Sequence, residues 1–302
     1  LTADNVHGTS SSHQVSSRSF DEAIGILLNV LGETTKSYTI KAIGYRIVHG
    51  GPYFYQPTEL GTITGDQWEQ LEKLDPDHIP SERHLAERLL LSFPEAKHVA
   101  CFDTMFTHDL PAEARYLPID RAMYDKGIRR YGFHGLSYEY LQQSFEQQAG
   151  ETAKLGRVIY AHLGSGCSLM STYNGTPVNT TMSFTPTSGV VMSARSGDID
   201  PSVALYLLEH EGMSIDEVRQ LLNTKSGLCG IGGTPDMKIL LEHEPADETA
   251  SQAVRMFCNS VKYAIGGLSA ELGGLDSLIF SGGIGEQSIV LRSRICDDLS
   301  YM

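Results

Sequence analysis

The 302 residues exceed what one hydrophobic core usually fills, so two domains are expected. Lys and Arg number 23 against 37 Asp and Glu, a formal net charge of -14, which argues against a broad nucleic-acid-binding surface but allows a local basic pocket. With 41% hydrophobic and 20% charged residues the composition is that of a globular chain, and no apolar run is long enough to span a bilayer.

Residues 1–17, rich in Ser, Thr and His, show no sustained periodicity and read as loop or edge structure. Phe20, Ile24, Leu27, Leu28 and Leu31 recur at helical spacing, with Gly32 as the expected stop. Residues 40–48 (IKAIGYRIV) read as a buried strand closed by the glycines of HGG. Thr64 with Gln67 forms a capping box for a helix through Leu74. Ser81 is expected to cap another helix running to about Leu91 and stopped by Pro94. His98 to Phe102 then forms a strand that delivers Asp103 at its carboxyl end. This alternation of strands and helices predicts an α/β layer arrangement.

Past Pro111 and Pro118 the chain reads RRYGFHGLS over residues 129–137, followed by a helix rich in Tyr, Leu and Gln. Arg157 to His162 and Ser168 to Thr172 are strands, and Asn174-Gly175 signals a tight hairpin turn. Ser214 with Glu217 is a second capping box, for a helix over Ile215 to Leu222. A long helix over Thr249 to Leu272 ends at Gly273-Gly274. Ser277 to Phe280 is a strand entering the SGGIGE turn, and residues 287–299 are helical again.

The five cysteines (Cys101, Cys167, Cys229, Cys258, Cys296) are odd in number, widely spaced and lack a C-x-x-C pair. Neither a disulfide framework nor a zinc site is expected, and a reducing, cytoplasmic compartment is the plain reading. Leu1 and Met302 read as cuts through a longer protein.

Three glycine-rich segments could carry chemistry. The strand–turn–helix unit around Gly282, Gly283 and Gly285 could let backbone approach phosphate or ribose, or could be only a tight turn. Gly164-Ser165-Gly166-Cys167-Ser168 could be a plain β-hairpin or one that embraces phosphate. In residues 195–201 (RSGDIDP), Arg195 could lie against a multiply charged anion, while Asp198 and Asp200 could hold it or start the next helix. His49, His134 and His162 each sit at a strand end or in a glycine-flanked turn. None has a metal-ligand spacing partner. Asp103 and Asp236 are the acidic candidates, each equally readable as a loop residue or a cap. The chain has no Walker-type phosphate loop, no H-E-x-x-H and no G-x-S-x-G elbow.

Taken in order, GYRIVHGG (44–51), FDTMF (102–106), GIRRYGFHGLS (127–137), AHLGSGCS (161–168), SFTPTSGVVMSARSGDIDP (183–201), KSGLCGIGGTPDM (225–237) and FSGGIGE (280–286) resemble the acetate kinase family. The resemblance spans nearly the whole chain. It implies an α/β fold of two duplicated actin-like (ribonuclease H-like) domains around a cleft, from the sugar kinase/Hsp70/actin superfamily. The amino-terminal domain would occupy residues 1–105 and the nucleotide-binding domain residues 106–302, each lacking a terminal part. It implies reversible phosphoryl transfer from ATP to a short-chain carboxylate, most simply acetate, with Mg²⁺ (or Mn²⁺), in a cytoplasmic homodimer that binds neither nucleic acid nor membrane.

By the same resemblance, Arg46 and Arg195 match the two active-site arginines, Asp103 the catalytic Asp that places substrate or metal, and His134 the His that stabilises the equatorial oxygens. Val48, Phe133 and Pro186 match the apolar pocket for the acid's alkyl group. His162, Gly164, Ser165, Gly166, Asp236, Gly283 and Gly285 fall on nucleotide-contacting positions; no residue is assigned as a dedicated metal ligand. Such roles suit the chemistry, because transfer to a carboxylate oxygen needs in-line positioning and cations rather than a strong base. The chain departs from the family pattern at Ser165 (usually Asn), at Ile79 and Ser81 (His-Asn-Pro-Pro in the family), at Asp77 (usually apolar) and at Lys238 (commonly Arg). These changes leave open a nucleotide-binding homologue impaired in catalysis, and a polyol kinase of the same superfamily is a third reading.

Overall fold

The computed structural model describes residues 2–4, 10–12, 19–34, 36, 38–149 and 155–301. Two compact units divide the chain, Leu1–Phe102 and Asp103–Met302.

In the first unit, short strands β1 (Thr2–Asp4) and β2 (Ser10–Ser12) pair antiparallel, and the other residues of the predicted loop 1–17 lie outside the described residues. Helix α1 (Phe20–Thr34) runs through Gly32 instead of stopping there, and an added Cβ at Gly32 would meet nothing within 4 Å. A glycine ends a helix where the chain turns left-handed; at a helical φ it costs roughly 1 kcal/mol and the helix continues. Strands β3 (Ala42–Ile47), β4 (Thr58–Glu59) and β5 (Lys97–Phe102) form a sheet ordered β3-β5-β4, with β3 parallel and β4 antiparallel to β5.

Helix α2 (Gly65–Leu74) starts at the predicted capping box, with Gln67 Oε1 accepting from the Thr64 amide at 2.9 Å. Helix α3 (Ile79–Ser92) starts earlier than predicted: Pro80 fills the first turn, and Ser81 lies inside the helix, its hydroxyl donating to the His78 carbonyl at 2.8 Å. Ser81 is therefore not the cap. Proline suits that turn because its missing N–H would have no helical partner anyway.

The second unit opens with the short helices α4 (Ala112–Arg115) and α5 (Ala122–Asp125), then α6 (Gly135–Ala149). Strands β6 (Arg157–Leu163), β7 (Cys167–Tyr173), β8 (Thr176–Thr180) and β9 (Ser277–Ser281) form a sheet ordered β8-β7-β6-β9, antiparallel except for the parallel β6–β9 pair. Asn174 (φ 49°) and Gly175 (φ 82°) make the predicted two-residue turn between β7 and β8. On one face of the sheet Val158, Tyr160 and Met170 bury Tyr138 of α6. Residues Ile159, Ala161 and Leu163, which alternate to the other face, are buried as well. That is why β6 reads as a continuous apolar run.

Helices α7 (Pro201–Glu209), α8 (Ile215–Thr224), α9 (Gly227–Gly232), α10 (Met237–His243) and α11 (Glu248–Leu272) follow, with α8 starting at the predicted Ser214–Glu217 box. Helix α11 packs against α9, α10, β6 and β7 and ends at left-handed Gly273. The helix predicted over residues 287–299 is α13 (Ile289–Cys296), and a separate helix, α12 (Gly282–Gln287), precedes it. The SGGIGE run is thus itself helical after a left-handed corner at Gly282, and the Ser288 side chain restarts the chain by accepting from the Leu291 amide at 3.3 Å.

Where β6 and β9 begin, Arg157 donates Nη2 to Asp276 Oδ1 at 2.6 Å and Nε to Oδ2 at 3.0 Å. These bonds hold the Asp276 carboxyl down at about 2. A folded pKa below the unfolded one gives stabilisation that is complete above about pH 4 and is lost as pH falls towards about 2. Asp276→Asn should lower the urea midpoint near neutrality, and the gap to the parent chain should narrow between about pH 4 and pH 2. A gap that stays constant across that range would show that the titration of this carboxylate contributes nothing.

Candidate active site

The RRYGFHG segment is held in place without being a strand or a helix. Arg130 reaches the carbonyls of Ala114 and Thr180, each at 2.8 Å, and the Tyr131 amide donates to the Ser183 carbonyl at 3.0 Å. Burial pulls the Arg130 guanidinium below its usual range, with Asp198 and Glu271 partly offsetting that. Gly132 (φ 72°) passes so close to Thr107 and Thr180 that an added Cβ would stand 2.7 Å from one and 2.8 Å from the other. Phe133 is consequently buried, and His134 takes a left-handed φ of 61° that aims its ring across the sheet. The amide of Gly135 donates to the Asp103 carbonyl at 2.7 Å, and Asp103 is buried.

The His134 ring stacks on His162 with centroids 4.3 Å apart, and its Nδ1 lies 2.8 Å from the Ser168 hydroxyl. The Nδ1 of His162 sits 2.9 Å from the Ser137 hydroxyl and 3.4 Å from that of Ser281. Between these strands, Gly164 to Gly166 make a turn closed by a bond of 3.1 Å from the Gly164 amide to the Gly166 carbonyl. The segment is thus a hairpin, as its plainer reading held, but one with a chemical mouth. A Cβ on Gly166 would stand 3.4 Å from both His134 Nε2 and Arg195 Nη1. Both donors therefore converge on the same turn.

Arg195 is brought there by backbone stitching. The Ser193 amide donates to the Ser165 carbonyl at 3.1 Å, while the amides of Ser226, Leu228 and Cys229 donate to the carbonyls of Ala194, Met192 and Ser193. The guanidinium Nη1 also donates to the carbonyl of Pro186, a buried residue, at 3.2 Å. Asp200 caps α7 by accepting from the Ser202 amide, and Asp198 accepts from the Gly189 amide, each at 2.8 Å.

A cavity of about 780 Å³ opens beside this hairpin, lined by Gly164, Ser165, Asp236 and Gly283 among others. Asp236 is also the cap of α10, accepting from the Lys238 amide at 2.8 Å. Both readings of that residue hold together. Gly285 is buried, and an added Cβ would make an ordinary contact of 3.5 Å with the Leu163 side chain. Ser193, Met237, Leu241 and Ile284 also line the cavity although the sequence does not single them out, and so does Lys238, which the sequence marks only as a departure from the family pattern. The motifs that contain Ser193, Met237 and Ile284 were the available signal.

In the first unit, Arg46 is exposed on β3 and Val48 is buried after it. The Val48 amide donates to Glu82 Oε2 at 2.9 Å. Burial pushes the Glu82 carboxyl up, and the Val48 bond and nearby Arg46 oppose that. Buried His49 accepts from the Gly51 amide through Nδ1 at 2.8 Å, a structural bond within the HGG turn. Asp77 is exposed. Among the described residues, no group of three or more His, Cys, Asp or Glu could hold a metal ion.

The Acetokinase family matches residues 2–302. The chain belongs to the acetokinase family. An acetate kinase from Rhodopseudomonas palustris (strain TIE-1) is 38% identical over 285 residues, covering 94% of this chain and 71% of the relative. One from Sulfurovum sp. (strain NBC37-1) is 35% identical over 294 residues, covering 96% of this chain and 74% of the relative. Among solved structures, Porphyromonas gingivalis acetate kinase superposes with a TM-score of 0.85 at 31% identity, covering all of this chain and 77% of that one. A propionate kinase from Francisella tularensis gives 0.88 at 32% identity over 97% of this chain and 76% of that one. The fold is the duplicated actin-like α/β architecture of this family, and the enzyme class is phosphotransfer to a carboxyl acceptor.

Gly227 carries the tightest of these approaches: at φ 59° an added Cβ would stand 2.1 Å from the Met192 carbonyl and 2.6 Å from that of Arg195. Gly227→Ala should therefore cost roughly 2–3 kcal/mol in urea unfolding, through strain at a left-handed position and displacement of the arginine loop. Unchanged stability would mean that the loop yields freely.

Proposed function

We propose that this chain is an acetate kinase, transferring the γ-phosphoryl group of ATP reversibly to acetate to give acetyl phosphate and ADP. The observation that carries this reading is the convergence of His134 Nε2 and Arg195 Nη1 on the Gly166 turn, next to the cavity that Gly164, Ser165, Asp236 and Gly283 line. A carboxylate oxygen of acetate attacks the γ-phosphorus in line, and the bond to the β,γ-bridging oxygen breaks, leaving its electron pair on ADP. Acetate is already ionised at neutral pH, so no residue has to remove a proton. Arg195 and His134 offset the charge that spreads over the three equatorial oxygens.

The nucleotide's phosphates lie along Gly164, Ser165 and Gly166, with His162 supporting the His134 ring. Its nucleoside half occupies the cavity, where Asp236 accepts from a ribose hydroxyl and Gly283 leaves room for the base and sugar. Arg46 holds the acid's carboxylate. Val48, Phe133 and Pro186 receive its methyl group. The domain limits proposed for these roles are residues 1–105 and 106–302.

Mg²⁺ demands little of the protein when it travels with nucleotide, because phosphate and water supply most of its ligands. Buried Asp103, the residue after β5, is the carboxylate that would hold the ion. When bound, the metal neutralises charge on the β- and γ-phosphoryl oxygens. Five free thiols suit a reducing cytoplasm, and a homodimer is the assembly proposed; no described helix is long and apolar enough to cross a membrane.

A coupled assay with acetate, propionate and butyrate plus Mg-ATP tests the reading. Acid-dependent ADP release supports it; intact ATP binding without release on any acid would point instead to the catalytically impaired homologue that Ser165 and Ile79 suggest. Arg195→Ala should lower kcat by about 10²–10³. His134→Ala should lower kcat more than it raises the KM for ATP, and an effect confined to KM would remove its transition-state role.

A further inference from the structure

Tyr138 on α6 and Ser168 on β7 are both fully buried. The Tyr138 hydroxyl meets that of Ser168 in a short hydrogen bond, and Ser168 Oγ lies 2.8 Å from His134 Nδ1. Around the tyrosine ring stand Val158, Tyr160 and Met170, with Phe106, Leu141 and Phe145 partly buried against them. A buried hydroxyl left without an acceptor costs about 1–3 kcal/mol, so the protons of this chain can be assigned by counting acceptors.

The phenol's acceptor is Ser168 Oγ, and burial pushes the Tyr138 pKa far up, so the phenol keeps its proton. The serine hydroxyl, once it accepts from Tyr138, has His134 Nδ1 left as its acceptor. His134 Nδ1 must then offer a lone pair, which puts the ring proton on Nε2, the atom that faces the Gly166 turn. We propose that Ser168, held by Tyr138, is a positioning residue that locks His134 as the neutral Nε2–H tautomer, so that it donates a hydrogen bond into the glycine turn and is not a cation there.

A protonated His134 would have to donate from Nδ1 to Ser168. Ser168 Oγ would then accept from both His134 and Tyr138, and the serine's own proton would lose its acceptor in this chain of groups. The charged surroundings add to this. Arg195 approaches the same turn and opposes a further positive charge, while the His162 ring stacks on His134. Asp103, joined through the Gly135 amide, is the anion in opposition, and the neighbouring Cys167 thiol, pushed up to about 12 by burial, stays neutral. The consequence for turnover rests on the kinase reading; the tautomer does not.

Long-range proton–nitrogen NMR of the histidine rings, on the ligand-free 302-residue chain, reads the tautomer directly, with His134→Asn providing the assignment. The expected signature is Nε2–H with a lone pair on Nδ1 from about pH 6 to pH 8. An Nδ1–H or imidazolium signature in that range would overturn the proposal. Ser168→Ala removes the proton that Nδ1 accepts, so a mixed or Nδ1–H signature should appear, and a pure Nε2–H signature in that variant would also overturn the proposal. Tyr138→Phe leaves His134 Nδ1 as the acceptor of the serine proton, so the Nε2–H signature should persist, and an Nδ1–H signature there would overturn it as well. In Ser168→Ala, kcat should fall by about ten- to a hundredfold with the KM for ATP within about twofold. Failure of acid-dependent ADP release in the parent chain would remove the kinase reading while the NMR result stood.

Discussion

The amide of Ser193 donates to the carbonyl of Ser165, and that bond ties the arginine-bearing loop to the glycine hairpin. Neither segment is regular structure at this point, so each needs the other to satisfy its main-chain groups. The same stitching continues to the start of α9 through Ser226, Leu228 and Cys229. Because the contacts run backbone to backbone, side chains are excluded from the approach, and glycine is required at Gly227 for that reason. What remains in the gap left by Gly166 is a place where two hydrogen-bond donors, from His134 and Arg195, can face one ligand.

Charge in this chain is distributed against its function in a way that composition alone conceals. A formal net charge of -14 would repel a polyanion at long range. Yet the second unit presents a guanidinium at a turn of small residues, and a neutral imidazole beside it adds a directed donor without adding positive charge. Preorganised donors of this kind need no reorientation as charge develops, which is the physical basis of their effect on phosphoryl transfer.

The sequence was most legible where a few neighbouring residues decide the outcome. Thr64 with Gln67 and Ser214 with Glu217 form the boxes their spacing predicts, and Asn174-Gly175 makes the expected turn. It misled where one residue was asked to act alone. Gly32 and Ser81 carry the local signals of a stop and a cap, yet α1 runs on through Gly32 and Pro80 occupies the first turn of α3 ahead of Ser81. The SGGIGE run, read as a turn, is helical beyond its first glycine, since Gly283 and Gly285 accept helical dihedrals at modest cost.

By itself the sequence determined the longer strands, the capped helices, the Asn174-Gly175 turn and the family of the chain, because motif spacing and capping are local and survive as text. Only the tertiary structure decided which side chains work together. Ser168 lies 34 residues from His134 and 30 from Tyr138, and their hydrogen bonds exist because β7 and α6 pack on one face of a sheet. No periodicity records such a contact. A hydrogen bond spans about 3 Å and depends on direction, so its partners are chosen by packing in three dimensions.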